Sequence, residues 1–449
     1  MIKHNENSSG AVHDRVKDKV SAGRAWFSIV IIVLLFIVAM IDRNAINLMI
    51  DPVKKSLGIN DFQISLLQGP AFAAFFLLGS LLTGWLVDKY SNRSLIFIGV
   101  ILWSFATIAS GFSNSFIVLL ITRCFVGLGE SVLQPVGWNI VANLFAKHKL
   151  ATALSILTAS TQVGVAVSFL LTGFLIAEAN QGALSEIPFV GEHLPWQWVF
   201  IAAGVPGLLL AFLVFIIPSI KKKTNSSGQK SAGELFAFIR ENRAYLLCHF
   251  AGFGLLSIMV NGTAAWAPTY LMRTHGMEIK NIGLLLGLVG VPLGVSGVIV
   301  AGLLVDRSFK KGRNDAHLKH FSVRALIVAL VGFVGFSVLG TNLISLLVCF
   351  GLIQFVQPFS GVAGASLQIS TPEKYRARIS AMFIMFYNAV GMMLGPSFVA
   401  LLSNTFGTNE LGIAIAINYL VLGSIAAILL WIGKKYAAAA YGRYGLQAN

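Results

Sequence analysis

Twelve apolar runs, each about as long as a bilayer is thick, dominate this sequence. A helix needs roughly 20 apolar residues to cross the hydrocarbon core. Backbone polar groups cannot stay unpaired in hydrocarbon, so such runs must be helical. The sequence therefore predicts an all-α integral membrane protein with 12 transmembrane helices. We place them at about 25–50, 63–87, 94–114, 116–143, 150–177, 197–217, 244–272, 281–305, 321–340, 343–369, 378–403 and 410–433.

The charged residues exclude a nucleic-acid partner. Only 11% of the residues are charged, where a soluble protein carries about a quarter. The net charge of +15 would suit nucleic-acid binding if it were gathered on one soluble face. It lies instead in short segments between apolar runs. The expected partners are the lipid bilayer and a small-molecule substrate.

Lysine and arginine are distributed very unevenly between the two sides of this layout. With a cytoplasmic N-terminus, 27 of the 33 fall in cytoplasmic segments, 4 on the other side and 2 within helices. Cytoplasmic loops carry the excess of basic residues, so both termini are predicted to be cytoplasmic. No organelle-targeting segment or long glycosylated loop is seen, which favours the cytoplasmic (inner) membrane of a bacterium.

A polar stretch in the middle of the chain divides six helices from six. It contains Lys221, Lys222 and Lys223, and its end, about 231–241, has the pattern of a short amphipathic helix. The predicted organisation is a cytoplasmic N-terminal tail, an N-terminal six-helix bundle, a cytoplasmic linker, a C-terminal six-helix bundle and a cytoplasmic tail. These segments span 1–24, 25–217, 218–243, 244–433 and 434–449.

The two halves repeat a short motif. Gly84-Trp85-Leu86-Val87-Asp88-Lys89 follows the second helix, and Gly302-Leu303-Leu304-Val305-Asp306-Arg307 follows the eighth, 218 residues later. Equivalent positions in a six-plus-six layout indicate duplication, which is common in secondary transporters. Two pseudo-symmetric bundles in one chain make a monomer sufficient.

The first copy of the motif carries a family resemblance. Its continuation to Arg93 resembles the G-x-L-x-D-[RK]-x-G-[RK]-[RK] loop of the major facilitator superfamily, although Ser91 and Asn92 depart from it. The resemblance implies alternating access by two rocking bundles and a cytoplasmic gate. The alternative is that these are only loop charges at helix ends. The gating residues implied are Gly84, Asp88, Lys89, Arg93, Asp306 and Arg307.

A narrower resemblance rests on helices 1 and 4. Asp42-Arg43 and the R-x-x-x-G-x-G-E sequence from Arg123 to Glu130 resemble the spinster-type branch. The anion:cation symporter branch, which takes sugar acids, has a similar pattern and ranks second. Gly129, directly before Glu130, favours the spinster type.

Four charged residues within the first-half helices are the candidate proton-coupling group. A charge in the bilayer interior is costly and is therefore usually paired and functional. We hypothesise that Asp42 and Glu130 exchange protons while Arg43 and Arg123 switch between them and the substrate, because an approaching arginine favours the ionised carboxylate. The alternatives are a water-exposed helix end for Asp42 and Arg43, and a static salt bridge for Arg123 and Glu130.

The second half is expected to have no Lys, Arg, Asp or Glu in its helix interiors, so amide and aromatic groups must face the cavity there. An anionic head would meet Arg43 or Arg123, while an apolar part lies against the second half. Any of these groups could instead bond a neighbouring helix. The further substrate-binding candidates are Gln134, Asn261, Trp266, Tyr270, Gln354, Gln357, Tyr387 and Asn388.

These features predict a secondary active transporter that is proton-coupled and moves an amphipathic organic anion or lysolipid-like molecule, as spinster resemblance implies. A proton symporter for sugar acids or other small carboxylates is the alternative, and a non-transporting ligand sensor is less favoured. No phosphate-binding loop, H-E-x-x-H or G-x-S-x-G motif is present, so we expect no enzyme. We expect no metal site and no cofactor, only protons as the coupling ion.

Overall fold

The structure is a computed structural model that describes residues 21–145, 147–181, 194–218, 232–357, 360–406 and 410–444. Within these ranges the chain is almost entirely helical and has no strand. Residues 1–20 of the predicted N-terminal tail, 219–231 of the predicted linker and 445–449 of the predicted C-terminal tail lie outside the described residues.

The described residues of the first six predicted spans form nine helices. The second and fourth spans are each divided in two, and a short helix connects the first span to the second. A 3-10 turn at Val214–Ile216 ends the last of the six spans. The helices are α1 Ala22–Leu48, α2 Ile50–Leu57, α3 Asp61–Gln68, α4 Pro70–Lys89, α5 Asn92–Gly111, α6 Phe116–Glu130, α7 Leu133–Leu144, α8 Lys147–Asn180 and α9 Pro195–Leu213.

The rest of the described chain begins with a short helix that lies where the amphipathic pattern predicts one. A π-helical turn at Leu285–Gly290 lies within the eighth span. The helices are α10 Ala232–Glu241, α11 Arg243–His275, α12 Ile279–Leu284, α13 Val291–Lys310, α14 Ala316–Ser337, α15 Leu343–Val356, α16 Ser360–Ile369, α17 Glu373–Phe406 and α18 Leu411–Tyr444.

Eleven helical stretches of the described residues are long and apolar enough to cross a membrane. The remaining predicted span, 343–369, which is the tenth along the chain, is present as two shorter helices, α15 and α16. The helix ends at Val356, Gln357 is not helical, and the helix resumes at Ser360. The 12-span prediction is therefore consistent with the structure.

The fourth span is also interrupted, and a proline explains the position. α6 ends at Glu130, and α7 begins at Leu133. Pro135 has no N–H to donate to the carbonyl of Ser131, and its ring crowds that carbonyl. Glu130 consequently lies at the end of a helical segment inside the span, next to backbone that is not regularly bonded.

By packing, the chain divides into two compact units. The first comprises Met1–Ile46 and Ala74–Thr224, and the second comprises Asn47–Ala73 and Asn225–Asn449. Residues 47–73, which belong to the first six spans by sequence, therefore pack with the second unit. The boundaries drawn at 218–243 from sequence stay a prediction.

Two facing glycines allow a close helix contact in the second unit. A Cβ on Gly262 of α11 would lie 2.7 Å from the Gly395 carbonyl oxygen of α17. A Cβ on Gly395 would meet the Gly262 amide nitrogen at the same distance. Small residues allow backbones to approach this closely, and membrane helices use them for that purpose.

Candidate transport site

One face of α6 carries the arginine and the glutamate of the sequence motif. The buried positions Leu119, Arg123, Val126 and Glu130 recur every three or four residues, as expected for a helix side that faces protein. Arg123 is fully buried and Glu130 is 2% exposed. Two turns separate them along α6, yet they meet two adjacent residues of α1.

α1 brings the remaining two charges to that face. Arg43 Nη2 lies 2.5 Å from Glu130 Oε2, and the Arg43 guanidinium stands over the Phe76 ring. Arg123 Nη1 donates to the backbone oxygen of Asp42 at 3.2 Å. All four predicted charges therefore meet in the first unit.

Asp42 is completely buried and lies six residues before the end of α1, which excludes a water-exposed helix end. Thr107 of α5 donates to its Oδ2 at 3.2 Å. Asp42 Oδ1 and Glu130 Oε1 have no hydrogen-bond partner among the described residues. Each carboxyl group therefore has one buried oxygen at which a proton can reside.

Gly129 lets α5 come close enough for this arrangement. A Cβ there would lie 2.7 Å from both the Gly99 oxygen and the Trp103 nitrogen of α5. A larger residue would push α5 outward, together with Thr107 and its bond to Asp42. The glycine before Glu130 thus has a packing role at the charged site.

The two bulkiest second-half candidates are enclosed by neighbouring helices. Trp266 is fully buried, and its Nε1 donates to the Pro396 oxygen at 2.9 Å. Tyr270 is 3% exposed, and its hydroxyl donates to the Gly340 oxygen at 3.1 Å. In this structure their polar atoms join helices, and a substrate contact at either stays a prediction.

The other candidates are half-buried. Asn261 donates to the Ser257 oxygen at 2.9 Å, and Gln357 accepts from the Tyr419 hydroxyl at 3.3 Å. Gln357 also lies at the break between α15 and α16. The remaining candidates, also of intermediate exposure, are Gln134, Gln354, Tyr387 and Asn388.

The predicted gating residues lie at helix ends. Gly84, Asp88 and Lys89 are in the last turns of α4, but the side chain of Asp88 is outside the description. Arg93 is the second residue of α5. The helix is capped by Ser91, whose side chain accepts a hydrogen bond from the Ser94 amide. The repeat residues Asp306 and Arg307 are exposed near the end of α13. Their gating role stays a prediction.

The prediction that the interiors of the second-half helices contain no Lys, Arg, Asp or Glu is wrong at Arg324. α14 begins five residues earlier than predicted, so Arg324 lies in its third turn and is 7% exposed. Its Nε donates to the Val356 oxygen at 2.8 Å, and its Nη2 donates to the Phe355 oxygen at 3.0 Å. The guanidinium therefore satisfies carbonyls that the end of α15 leaves unpaired.

Replacing Arg324 by methionine should loosen the break between α15 and α16. Hydrogen bonds to a charged group contribute about 1.5–3 kcal/mol each, so amide exchange around Gln357 should accelerate about tenfold or more. Mass-spectrometric hydrogen exchange on the peptide that covers the break measures this. The exposed Arg313→Met variant is the matched control. Equal exchange in the Arg324 and Arg313 variants would contradict the capping role.

A second ionic group, which the sequence reading missed, lies in the second unit. The Arg273 guanidinium bonds Asp51 at 2.6–3.3 Å through Nε and Nη2, and Asp61 at 3.1 Å through Nη1 and Nη2. Lys54 is also paired with Asp61, which is 1% exposed. Charge counting registered Lys54 and Arg273 only as external charges.

Local turn chemistry aligns these carboxylates. α2 ends at Leu57. The next residue, Gly58, lies in the left-handed region with φ of 64°, where glycine is favoured. Asn60 then caps α3, accepting from the Gln63 amide at 2.8 Å while Gln63 accepts from the Asn60 amide at 3.0 Å. This corner turns the chain so that Asp51 and Asp61 reach the same arginine.

Comparisons with known proteins agree with this architecture. The sequence profile of the Major Facilitator Superfamily matches residues 32–396. The chain is 25% identical over 424 residues to an MFS-type efflux pump of Mycolicibacterium smegmatis, covering 93% of this chain and 94% of the relative. It is 21% identical to a probable galactarate/D-glucarate transporter of Bacillus subtilis, covering 91% of this chain and 92% of that protein.

Spinster-type proteins are also among the relatives. Spinster homolog 1 of Xenopus tropicalis is 24% identical over 405 residues, covering 81% of this chain and 73% of the relative. The fold also resembles the crystal structure of a bacterial homolog to the human lysosomal transporter spinster, in an inward-facing, unoccupied conformation. That similarity has a TM-score of 0.77 at 19% identity and covers 95% of this chain and 98% of the other.

The fold and the buried charges define a multi-pass membrane transporter and not an enzyme. The chain belongs to the Major Facilitator Superfamily and has spinster-type relatives.

Proposed function

We propose that this protein is a proton-coupled secondary transporter that moves an amphipathic organic anion or a lysolipid-like molecule across a bacterial cytoplasmic membrane. It works by alternating access, as a monomer, with both termini in the cytoplasm. The observation that carries the proposal is the buried group of two carboxylates and two arginines in the first unit.

The coupling step follows from the geometry of this group. When Glu130 is ionised, it holds Arg43 at 2.5 Å. A proton on Glu130 removes the charge that binds the guanidinium and leaves Arg43 available to an anionic substrate. Return of Arg43 favours the ionised form and expels the proton. Asp42 is the second acceptor, bonded to α5 through Thr107.

Arg123 is suited to a positioning role in this exchange. It is fully buried and bonds the backbone of Asp42. A buried positive charge near both carboxylates offsets part of the cost of ionising them. Arg43, with 24% of its side chain exposed, is the more accessible of the two arginines. We therefore assign the substrate's anionic group to Arg43.

The Arg273 group supplies a gate on the side opposite the linker. By sequence, Asp51 and Asp61 belong to the first six spans and Arg273 to the last six. In the second unit these residues are bonded together, so the chain segment 47–73 is held to α11. Breaking these bonds would free the external ends of the first and second predicted spans, as alternating access requires.

A sugar-acid or small-carboxylate symporter is the second candidate. The relative named as a probable galactarate/D-glucarate transporter favours it. The spinster-type relatives favour a substrate with an apolar part. The arginines of the first unit suit the anionic group of either class.

Reconstituted protein decides between these functions. Liposomes containing an internal pH dye are offered either sugar acids or single-chain phospholipids and sphingoid phosphates. We expect the second panel to change the internal pH, and the sign separates symport from antiport. A response only to sugar acids would establish the second candidate. Binding without any proton movement in either panel would overturn proton coupling.

A further inference from the structure

Helix α10 contacts the rest of the second unit through three residues along one side. Glu234 accepts from Lys374 Nζ at 3.1 Å and from the Tyr375 hydroxyl at 3.0 Å. The Lys374 bond is the main reason that the pKa of Glu234 lies below its ordinary value. This end of α10 is therefore tied to the start of α17.

The middle and the C-terminal end of α10 contact the end of α18. The Phe238 ring is 5% exposed and lies 5.5 Å, centroid to centroid, from the rings of both Tyr375 and Tyr444. Glu241 Oε1 lies 3.0 Å from Arg443 Nη1. Both acidic residues of α10 are thus already paired, and its Phe238 side chain is buried.

The opposite face of α10 has a different character. Phe236 is 69% exposed, and Arg240 is exposed as well, as is Arg243 just beyond the end of α10. Together with Gly233, Ala237 and Glu241 they line an open groove. Among the described residues, neither of these arginines has a carboxylate within salt-bridge distance.

We propose that this face is a binding site for the headgroup of an anionic phospholipid in the cytoplasmic leaflet. Arg240 and Arg243 bind the phosphate, and the Phe236 ring lies among the upper acyl chains. Glu241 lines the groove but is paired with Arg443, so its repulsion of the phosphate is reduced.

Position and charge both support a lipid as the occupant. Arg243 is the first residue of α11, a helix that is long and apolar enough to cross the membrane, so α10 is beside the bilayer surface. A short helix with an exposed aromatic ring and basic residues on one face suits the interface of headgroups and acyl chains. The negative surface of a cytoplasmic leaflet attracts basic residues at such sites. The proposal needs neither proton coupling nor the substrate's identity.

Native mass spectrometry of the detergent-purified full chain tests the site directly. Phosphatidylglycerol, phosphatidylcholine and soluble glycerol 1-phosphate are titrated separately. At the usual contribution of a basic residue near an anionic surface, R240Q/R243Q should bind phosphatidylglycerol about 30-fold more weakly. Phosphatidylcholine should bind all variants equally weakly, and F236S should weaken phosphatidylglycerol binding.

The matched control removes two exposed basic residues elsewhere in the second unit, K311Q/R313Q, and should keep wild-type affinity for phosphatidylglycerol. Equal unfolding temperatures without added lipid show that every variant is folded. Wild-type affinity in R240Q/R243Q, or an equal loss in the control pair, would overturn the site. Glycerol 1-phosphate that binds as tightly as the lipid would identify a free-phosphate site and overturn the lipid assignment.

Discussion

Glu130→Gln is expected to abolish proton-driven accumulation of substrate. Glutamine keeps the size and shape of the side chain but cannot release and regain a proton at neutral pH. One coupled proton per substrate gives about a tenfold concentration ratio for each pH unit across the membrane, because one unit corresponds to about 1.4 kcal/mol. In the variant this ratio should fall to one at every pH gradient, as measured by radiolabelled substrate in proteoliposomes.

The control for this experiment is Glu178→Gln, which removes a half-buried glutamate of the same unit that lies outside the charged group. It should accumulate substrate as the wild type does. Substrate counterflow, which needs no proton gradient, shows that the Glu130 variant still binds and moves substrate. Persistence of a pH-dependent ratio in Glu130→Gln would assign proton coupling elsewhere. Asp42→Asn then tests the second carboxylate in the same way.

Arg273→Met should unlock the segment 47–73 from α11. The substitution removes a partner of Asp51 and leaves the buried Asp61 with Lys54 alone. Breaking a buried pair costs about 3–5 kcal/mol, and the remaining Lys54 puts the expected cost at the lower end. A cysteine in place of Ser65, which is fully buried in α3, reports the release. Its labelling by a membrane-impermeant maleimide should accelerate about 100-fold, since each 1.4 kcal/mol is a factor of ten.

Lys280→Met, carrying the same cysteine, is the matched control and should leave labelling slow. Arg273→Lys should lie between the two, because an ammonium cannot make the forked contact of a guanidinium with both carboxylates. If Arg273→Met leaves Ser65→Cys as protected as before, the ionic group is a local stabiliser and not a gate.

The periodic apolar runs predict the fold because helix length and backbone pairing in hydrocarbon permit few alternatives. The charges of the first half were predictable for a related reason. Asp42, Arg43, Arg123 and Glu130 interrupt apolar runs, where an ionised side chain needs a partner. Which arginine contacts which carboxylate depends on the rotation of α1 against α6, and sequence spacing does not determine that rotation.

Residues near helix ends were harder to assign. Arg324 was counted with a cytoplasmic connection because a span that begins at 321 places it in the first turn, at the membrane edge. The observed helix begins five residues earlier, and Arg324 is buried in its third turn. The Arg273 group joins residues that are more than 200 positions apart, so no local pattern indicates it. Trp266 matched the expected cavity chemistry, but the residue type does not show whether an indole N–H meets a ligand or a neighbouring carbonyl.

The membership of residues 47–73 in the second unit has a consequence for recombination between relatives. A gene duplication copies the first six spans as one block, whereas these 27 residues pack with the second unit. A chimera joined in the linker would set a foreign 47–73 segment against native α11 and α17, breaking matches such as Gly69 against Met392. In a better hybrid, residues 47–73 and the second half come from the same protein, and only the rest of the first half comes from the other. Such hybrids should express and fold more often.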